Sequence, residues 1–258
     1  MNSVTPLKTA RYDNLPVAIY QSNEAMGRAA ARDGGEIISR AIAKNGQANV
    51  ILATGNSQLT FLEALRDLAG IDWSRVNVFH MDEYLDLAPT HPASFPLFLR
   101  RHFLDFVDVG AFYPVPGQPS DVEQACRAYE ALLRQHPLDL VAMGFGENGH
   151  LAFNDPPYAK FDDPTWVKVI ELAEASRRQQ VGEGHFGSLE EVPTQAITLT
   201  IPALLAPGAI LCIVPEARKA EAVRACLTGP ITEDCPGSIL RRVDHARLYL
   251  DQDSAAQL

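Results

Sequence analysis

Two patterns of apolar and polar residues alternate along this chain. One is a run of four to six mostly apolar residues, typical of a buried strand, and the other is an apolar stripe at helical spacing. The apolar runs predict strands over residues 17–20, 49–53, 76–79, 138–143, 196–200, 210–214 and 246–250. Helical spacing predicts helices over residues 23–44, 59–68, 94–106, 121–135, 201–205 and 219–227.

The regular order of strand and then helix predicts one fold class. Parallel strands need a crossover connection, which is usually a helix. We therefore expect an α/β protein with a doubly wound, mostly parallel sheet flanked by helices, in a Rossmann-like arrangement. The run at residues 17–20 is expected to be an edge strand. Ser22 and Asp121 are suited to cap the free N–H groups at the starts of two helices.

Three segments lack both patterns. Residues 1–15 are polar, and we expect an arm over the surface or against a neighbouring subunit, which leaves a homo-oligomer open. Residues 158–193 are irregular, and a long irregular insertion after an active-site strand often forms a lid. The tail from residue 252 is expected to be frayed. No linker rich in Gly or Ser appears, so we expect a single domain over residues 1–258.

Composition narrows the class of partner. The 258 residues, 47% hydrophobic and 21% charged, are typical of a globular protein in water. The net charge of −10 argues against a nucleic acid, which needs clustered Lys and Arg, but not against a small anionic substrate. No apolar segment reaches about 18 residues, so no membrane partner is expected. The four cysteines have no metal-ligand spacing, and we expect reduced thiols, no metal and a cytoplasmic location.

The strongest candidate site follows the predicted strand at residues 138–143. The sequence GFGENGHLAFNDPP interleaves glycines with an acid, an amide and an imidazole. Ligands of open α/β sheets bind beyond the carboxyl ends of the strands, so this turn has the features of an active-site rim. The alternative is a glycine-rich turn with solvated polar residues. The candidate residues are Glu147, Asn148, Gly149, His150 and Asp155.

A second glycine turn precedes the helix predicted at residues 59–68. It consists of Thr54, Gly55, Asn56 and Ser57. A glycine turn that opens a helix presents free N–H groups and the positive end of the helix dipole, which favour a phosphate. The loop matches neither the Walker A pattern nor GxGxxG, so a nucleotide is not implied. An ordinary turn with a serine cap explains the same residues.

Charged residues follow two further predicted strands. Asp82 and Glu83 come directly after one of them, and an enclosed apolar site would raise the pKa of either carboxyl group toward the range for proton transfer. Lys219 follows another strand at the start of a helix. The structural alternatives are acids at a helix N-terminus and a solvated lysine. Because parallel strands end at the same sheet edge, we expect these residues and the glycine turns to meet at one crevice.

Six segments of the sequence carry a family resemblance: ATGNS, FHMDEY, HPASF, GFGENGHLAFNDPP, AITLTIPALL and PEARKAEAV. In order and rough spacing, from about residue 15 to residue 250, the chain resembles the glucosamine-6-phosphate deaminase/isomerase family. That family is grouped with the 6-phosphogluconolactonases. The lactonases share the Gly149–His150 turn, but typically continue into a Ser-Leu-Phe-Pro type sequence and have Asp-Glu-Arg in place of Asp82–Tyr84. The chain therefore resembles the deaminase branch.

The resemblance implies a reaction and a role for each candidate residue. In this family the ring of an amino-sugar phosphate opens, a proton moves from C2 to C1, and ammonia leaves. The resemblance assigns ring opening to His150 with its carboxylate partners, and the proton transfer to Asp82. The phosphate would bind residues 54–57, with Lys219 as counter-charge. We expect glucosamine-6-phosphate or a close hexosamine phosphate as substrate, fructose-6-phosphate as product, and no cofactor.

The sequence departs from the family pattern at two places. The family usually has Asp at the position of Asn148 and Glu at the position of Asp155. An amide cannot take up a proton as a carboxylate does, so the imidazole would depend on Asp155 or Glu147 for its orientation. The family lid also carries an arginine that clamps the phosphate, where this chain reads GEGHFG. The candidate substitutes are His185, Arg177 and Arg178.

Two other functions fit the same residues. In a lactone hydrolase, His150 would activate water and Asp82 would be dispensable. A non-catalytic sugar-phosphate sensor would keep the crevice without the chemistry, and the amide of Asn148 favours that hypothesis. Turnover, and its dependence on Asp82, separates the three functions.

Overall fold

The computed structural model describes residues 4–182 and 184–258, without the side chains of Ala175 and Gln179. Its strands are β1 (Lys8–Tyr12), β2 (Leu15–Tyr20), β3 (Ala48–Leu52), β4 (Val76–His80), β5 (Asp82–Tyr84), β6 (Ala111–Tyr113), β7 (Leu140–Met143), β8 (Val167–Glu171), β9 (Gln195–Leu199), β10 (Ile210–Val214) and β11 (Ala246–Asp251). Its α-helices are α1 (Asn23–Asn45), α2 (Leu59–Arg66), α3 (Phe95–His102), α4 (Val122–Gln135), α5 (Glu174–Gly182), α6 (Ile201–Leu205) and α7 (Ala220–Thr228). Short 3₁₀ helices span Asn56–Gln58, Trp73–Arg75, Leu104–Phe106, Leu189–Glu191, Ala217–Lys219 and Pro236–Arg242.

An eight-stranded sheet runs through the middle of the fold in the order β1-β2-β11-β10-β7-β3-β4-β6. The pairs from β2 to β6 are parallel, and β1 pairs with β2 in the antiparallel sense. Strand β3 is followed by β4 on one side, whereas β7 is followed in the same sheet by β10 on the other. The connections therefore diverge between β3 and β7, which opens a crevice at their carboxyl ends. The predicted mostly parallel, doubly wound α/β fold is confirmed.

Helices cover both faces of this sheet, as a parallel sheet requires. In β3, Val50 and Leu52 pack into a cluster with α1, α2 and α3, whereas Ile51 packs into a cluster with α4, α6 and α7. Because successive side chains of a strand point to opposite faces, one apolar run supplies both clusters. Continuous apolar runs are thus the correct signal for these strands.

A second, three-stranded antiparallel sheet has the order β5-β9-β8. It carries Asp82, which lies opposite Thr198 in the β5–β9 pair. A third apolar cluster beneath it includes Tyr84, Phe153 and Phe186. The expectation that residues 158–193 lack regular structure is wrong, because β8 and α5 lie within them. Strand β8 has the sequence VKVIE, in which a lysine and a terminal glutamate obscure the apolar pattern.

Among the described residues, the segments near the two ends of the chain have more regular structure than the sequence indicates. Residues expected to form an arm include β1, which makes the sheet edge and places β2 inside it, so the prediction of β2 as the edge strand is wrong. Strand β1 (KTARY) is mostly exposed and is held by backbone pairing, which leaves no apolar pattern. The expected fraying from residue 252 is also wrong, because Ser254 is buried and its N–H donates to Asp251 Oδ1 at 2.8 Å.

Local capping sets the predicted helix starts. The Ser22 hydroxyl accepts the N–H of Ala25 at 3.3 Å, and Asp121 Oδ1 accepts the N–H of Gln124 at 2.9 Å, so both predicted caps are confirmed. The helix predicted at residues 94–106 is shorter, since α3 ends at His102 and a 3₁₀ turn follows. None of the helices in the described residues is long and apolar enough to cross a membrane.

Candidate active site

The turns that follow β3, β4, β7 and β10 open into one cavity at the crevice between β3 and β7. The sequence candidates that line it are Thr54, Gly55, Asn56, Ser57, Asp82, His150, His185 and Lys219. The other candidates lie outside this lining in the described part of the chain: Glu83, Glu147, Asn148, Gly149 and Asp155. The site thus divides into groups that face the cavity and groups that hold them.

Hydrogen bonds fix the tautomer of the neutral His150 imidazole. Its Nδ1 lies 2.7 Å from Asn148 Oδ1 and 2.9 Å from Asp155 Oδ1. Both oxygens are acceptors, so Nδ1 carries the hydrogen and Nε2 keeps its lone pair in the neutral ring. An imidazole with a free Nε2 lone pair on a cavity wall is equipped to act as a general base.

The side-chain amide of Asn148 forms hydrogen bonds through both its oxygen and its nitrogen atom. Its Oδ1 accepts the His150 backbone N–H at 3.0 Å, in addition to Nδ1–H, and its Nδ2 donates to Asp155 Oδ1 at 2.7 Å. The amide therefore links the ring to the buried carboxylate instead of competing with that carboxylate for a proton. Glu147 lies elsewhere, exposed and ion-paired to Arg218 at 3.4 Å.

The carboxyl group of Asp155 is buried, and protein groups hydrogen-bond to both of its oxygen atoms. The Ser176 hydroxyl lies 2.9 Å from both of its oxygens. Burial alone would raise its pKa, but the hydrogen bond and charge of His150, together with the hydrogen bonds from Asn148 and Ser176, hold that pKa below its ordinary value. Asp155 is therefore a stable anion that can support a positive charge on the imidazole.

Two glycines shape the turn that carries His150. A Cβ on Gly146 would lie 2.0–2.3 Å from three atoms of the His150 ring, so the ring packs against the glycine backbone. Gly149 has φ +82°, a left-handed conformation that costs a glycine little. The glycine-rich sequence thus has a physical reason at each of these positions.

The carboxyl group of Asp82 has a raised pKa, whereas that of Asp155 has a lowered pKa. It is only 7% exposed and sits in β5, whose pairing with β9 fixes its position on the cavity wall. Burial, with a smaller contribution from the charge of Glu83, raises the pKa of Asp82 to about 8. A carboxyl group that titrates near neutral pH is suited to exchange protons with a substrate.

Glu83 supports the cavity wall from behind. Its Oε2 accepts the Ser94 hydroxyl at 2.8 Å and the Phe95 N–H at 3.2 Å, at the start of α3. Burial raises the pKa of Glu83 to about 7 despite these bonds. Phe95 and Phe98 of α3 line the cavity, so Glu83 acts on the site through the position of that helix.

The loops after β3 and β10 have the same local design. Gly55 (φ 95°, ψ 160°) and Glu216 (φ 81°, ψ 140°) each precede a 3₁₀ turn that leads into a helix. After β3 this arrangement turns residues 54–57 toward the cavity, and after β10 it brings in Lys219, which is 3% exposed. The Glu216 N–H donates to the Asp251 carboxylate at 3.1 Å, which holds the second loop.

Comparison with known proteins gives the same family as the sequence motifs. The family model described as glucosamine-6-phosphate isomerases/6-phosphogluconolactonase matches residues 21–249. The chain belongs to this family. A relative named glucosamine-6-phosphate deaminase, from Exiguobacterium sibiricum, is 39% identical over 207 residues, which cover 80% of each protein.

Solved structures extend the comparison to the fold. A protein described as a monomeric glucosamine-6-phosphate deaminase matches with a TM-score of 0.87 and 28% identity, over 94% of this chain and 99% of its own. The 6-phosphogluconolactonase from Trypanosoma brucei matches with a TM-score of 0.76 and 17% identity, over 97% and 100% of the two chains. The second match bears on the fold alone, whereas the first agrees with the family assignment.

Several residues that line or support this cavity were not predicted from the sequence. Arg218 lines the cavity and ion-pairs with Glu216 at 2.6 Å; its place beside Lys219 was an available signal. Gln180 and the aromatic rings of Phe95, Phe98 and Phe153 also line it, and Ser176 supports Asp155 from 21 residues away, without a local motif. No group of three or more His, Cys, Asp or Glu that could hold a metal occurs among the described residues.

The three candidate substitutes for the family's lid arginine have different positions. His185 lines the cavity. Arg177 donates to the backbone carbonyls of Leu189 and Val192 at 2.6 and 3.0 Å, and Arg178 pairs with the exposed Glu174 at 2.8 Å. The two arginines thus have structural partners within the segment.

The contact between Gly146 and His150 gives a first prediction. In Gly146→Ala, the three atoms nearest to the new methyl group all belong to the imidazole, so the ring must move. We expect turnover to fall ~10- to 100-fold because the imidazole is displaced. Stability in urea should also fall, because the buried Asp155 carboxylate loses a hydrogen-bond partner. Gly208→Ala is the control, because its methyl group would meet nothing closer than 3.5 Å. Full turnover in Gly146→Ala would contradict this role of the glycine.

The raised pKa of Asp82 gives a second prediction. Because the folded pKa of about 8 exceeds the ordinary value of 3.8, stability is lost as pH rises through this window. The side chain of Asp82→Asn stays neutral at every pH. The unfolding free energy of this variant minus that of the wild type should therefore rise from pH 5 to pH 8, by up to about 1.4 kcal/mol per pH unit. Urea titrations at several pH values measure this difference. Exposed Asp86→Asn is the control, and parallel pH profiles for Asp82→Asn and the wild type would refute the shift.

Proposed function

We propose that this chain is a ring-opening amino-sugar-phosphate deaminase, which converts glucosamine-6-phosphate and water to fructose-6-phosphate and ammonium. One observation carries the proposal: an oriented imidazole, a buried carboxyl group and a phosphate-type loop share one cavity. The relative from Exiguobacterium sibiricum is named glucosamine-6-phosphate deaminase, and this supports glucosamine-6-phosphate as the substrate. The alternative substrate within this proposal is a close hexosamine phosphate.

The phosphate group is assigned to the loop of residues 54–57. This turn leads through a 3₁₀ turn into α2, so its N–H groups and the hydroxyl groups of Thr54 and Ser57 are suited to phosphate oxygens. The buried cation of Lys219 supplies the counter-charge. Arg218, on the same cavity, adds a second positive charge near this end.

Ring opening is assigned to His150. Its Nε2 takes the proton of the C1 hydroxyl group while the bond between C1 and the ring oxygen breaks, and the imidazolium returns a proton to that oxygen. The Asp155 carboxylate stabilises the transient positive charge. Asn148 keeps the ring in the orientation that exposes Nε2.

Proton transfer from C2 to C1 is assigned to Asp82. Its raised pKa keeps much of the carboxyl group protonated near pH 7, but the ammonium group of the substrate would favour the ionised form. The carboxylate then removes the C2 proton to give an enolamine and returns a proton to C1. Water adds to C2 of the resulting iminium, and ammonia leaves, which accounts for every atom of the overall reaction.

The remaining assignments belong to the same proposal. Residues 158–193 are proposed as the lid of a single domain over residues 1–258, and Gln180 and His185 support this role because they line the cavity. The partner is a small-molecule sugar phosphate, not a nucleic acid or a membrane. The cytoplasmic location and the homo-oligomer stay predictions.

An assay separates this function from its alternatives. We expect the wild type to release ammonium and fructose-6-phosphate from glucosamine-6-phosphate, and Asp82→Asn to lose ~10²- to 10⁴-fold in kcat, because the proton carrier is gone. The exposed Asp86→Asn should retain full kcat. Coupled enzyme assays for both products measure this.

Two results would contradict the proposal. Hydrolysis of 6-phosphogluconolactone that persists in Asp82→Asn, without deaminase turnover in the wild type, would identify a lactone hydrolase. Thermal stabilisation by glucosamine-6-phosphate without any turnover would identify a sensor.

A further inference from the structure

Two cysteines lie directly beneath the turn that carries His150. Cys226 is in the last turn of α7, and Cys235 immediately precedes the 3₁₀ helix Pro236–Arg242. Their sulfur atoms are 3.4 Å apart. Cys226 is 1% exposed, whereas Cys235 is half-buried, so a small oxidant in solvent reaches Cys235 first.

The pair has the chemical asymmetry of a reactive thiol and a resolving thiol. The hydrogen bond from Cys226, with further help from the Ser238 N–H and the charge of Arg241, lowers the pKa of Cys235 to about 7. The same contact and burial raise the pKa of Cys226. The lowered pKa increases the fraction of Cys235 present as thiolate, which is the form that reacts with oxidants.

Both sulfur atoms pack against the backbone of the catalytic turn. A Cβ on Gly149 would lie 2.9 Å from Cys235 Sγ and 3.0 Å from Cys226 Sγ. The N–H of Gly237 also donates to the carbonyl oxygen of Gly149 at 2.7 Å. The two sulfur atoms and Gly237 therefore form the packing surface beneath the residue that precedes His150.

We propose that Cys226 and Cys235 form a reversible disulfide when the protein meets a hydroperoxide, and that this bond lowers activity by displacing the Gly149–His150 turn. The link to activity rests on the function proposed above. A disulfide requires the sulfur atoms to approach to about 2.05 Å, well inside their present separation. Because Gly149 packs against both sulfur atoms, their approach to each other changes the contacts that hold its backbone.

The chemistry balances with hydrogen peroxide as the oxidant. The Cys235 thiolate attacks one peroxide oxygen, the O–O bond breaks, and the departing hydroxide takes up a proton to give water and a Cys235 sulfenic acid. The Cys226 thiol then attacks this sulfur atom, the S–O bond breaks, and a second water leaves. Two thiols are oxidised by two electrons in total and one peroxide is reduced; a dithiol reductant reverses the step.

The test combines mass and activity on the purified full-length chain. We expect hydrogen peroxide to remove about 2 Da from the intact mass, through a peptide that contains a Cys226–Cys235 cross-link. Turnover of glucosamine-6-phosphate should fall ~10- to 100-fold, and dithiothreitol should restore both mass and turnover. In Cys235→Ser and Cys235→Ala the mass loss should disappear, whereas the control Cys126→Ala, which removes another buried cysteine, should keep it.

Each other outcome overturns part of the inference. Oxygen adducts on Cys235 without a cross-link, or an unchanged mass, would overturn the disulfide. A complete cross-link with unchanged kcat and KM would overturn its coupling to the site. If the reduced chain does not turn over glucosamine-6-phosphate, the function fails but the mass test still decides the disulfide. The NMR shift of the His150 ring then reports the coupling, and an unchanged shift on oxidation overturns it.

Discussion

The parallel pairing of β10, β7, β3 and β4 is the constraint on which the site depends. Neighbouring parallel strands end at the same edge, so the turns that follow them must share that edge. The connections diverge between β3 and β7, and the space this leaves is the cavity lined by residues 54–57, Asp82, His150 and Lys219. Strand pairing thus brings residues up to 165 positions apart in the sequence to the same cavity, where the loops after β3 and β10 set their positions.

Two buried acids at this site differ in their surroundings and therefore in their chemistry. Asp155 receives hydrogen bonds from Asn148, Ser176 and His150, which keep its pKa low. Burial and the charge of the neighbouring Glu83 raise the pKa of Asp82 to about 8. Groups whose surroundings shift their pKa values in opposite directions are suited to separate roles, one as a permanent anion and one as a proton carrier.

Sequence patterns predicted most of the parallel strands because strands buried on both faces are mostly apolar, as in β3 and β10. The short parallel strand β6 was not predicted. The patterns also did not predict β1, whose exposed residues are held by backbone pairing, or β8, with its polar side chains. At the site, spacing indicated that Asp155 could reach His150. The bridging amide of Asn148 and the support from Ser176 depend on tertiary geometry, which no local pattern carries. The family resemblance, not the spacing, suggested the reaction.

A crystal structure with the reduced, open-chain amino alcohol of glucosamine-6-phosphate, which cannot react, tests the assigned site most directly. We expect the phosphate within hydrogen-bond distance of the backbone N–H groups of residues 54–57 and of Lys219. The Asp82 carboxyl group should lie over C2, with His150 Nε2 facing the oxygen atoms released by ring opening. A phosphate bound away from that loop, or a C2 atom beyond the reach of Asp82, would contradict the account.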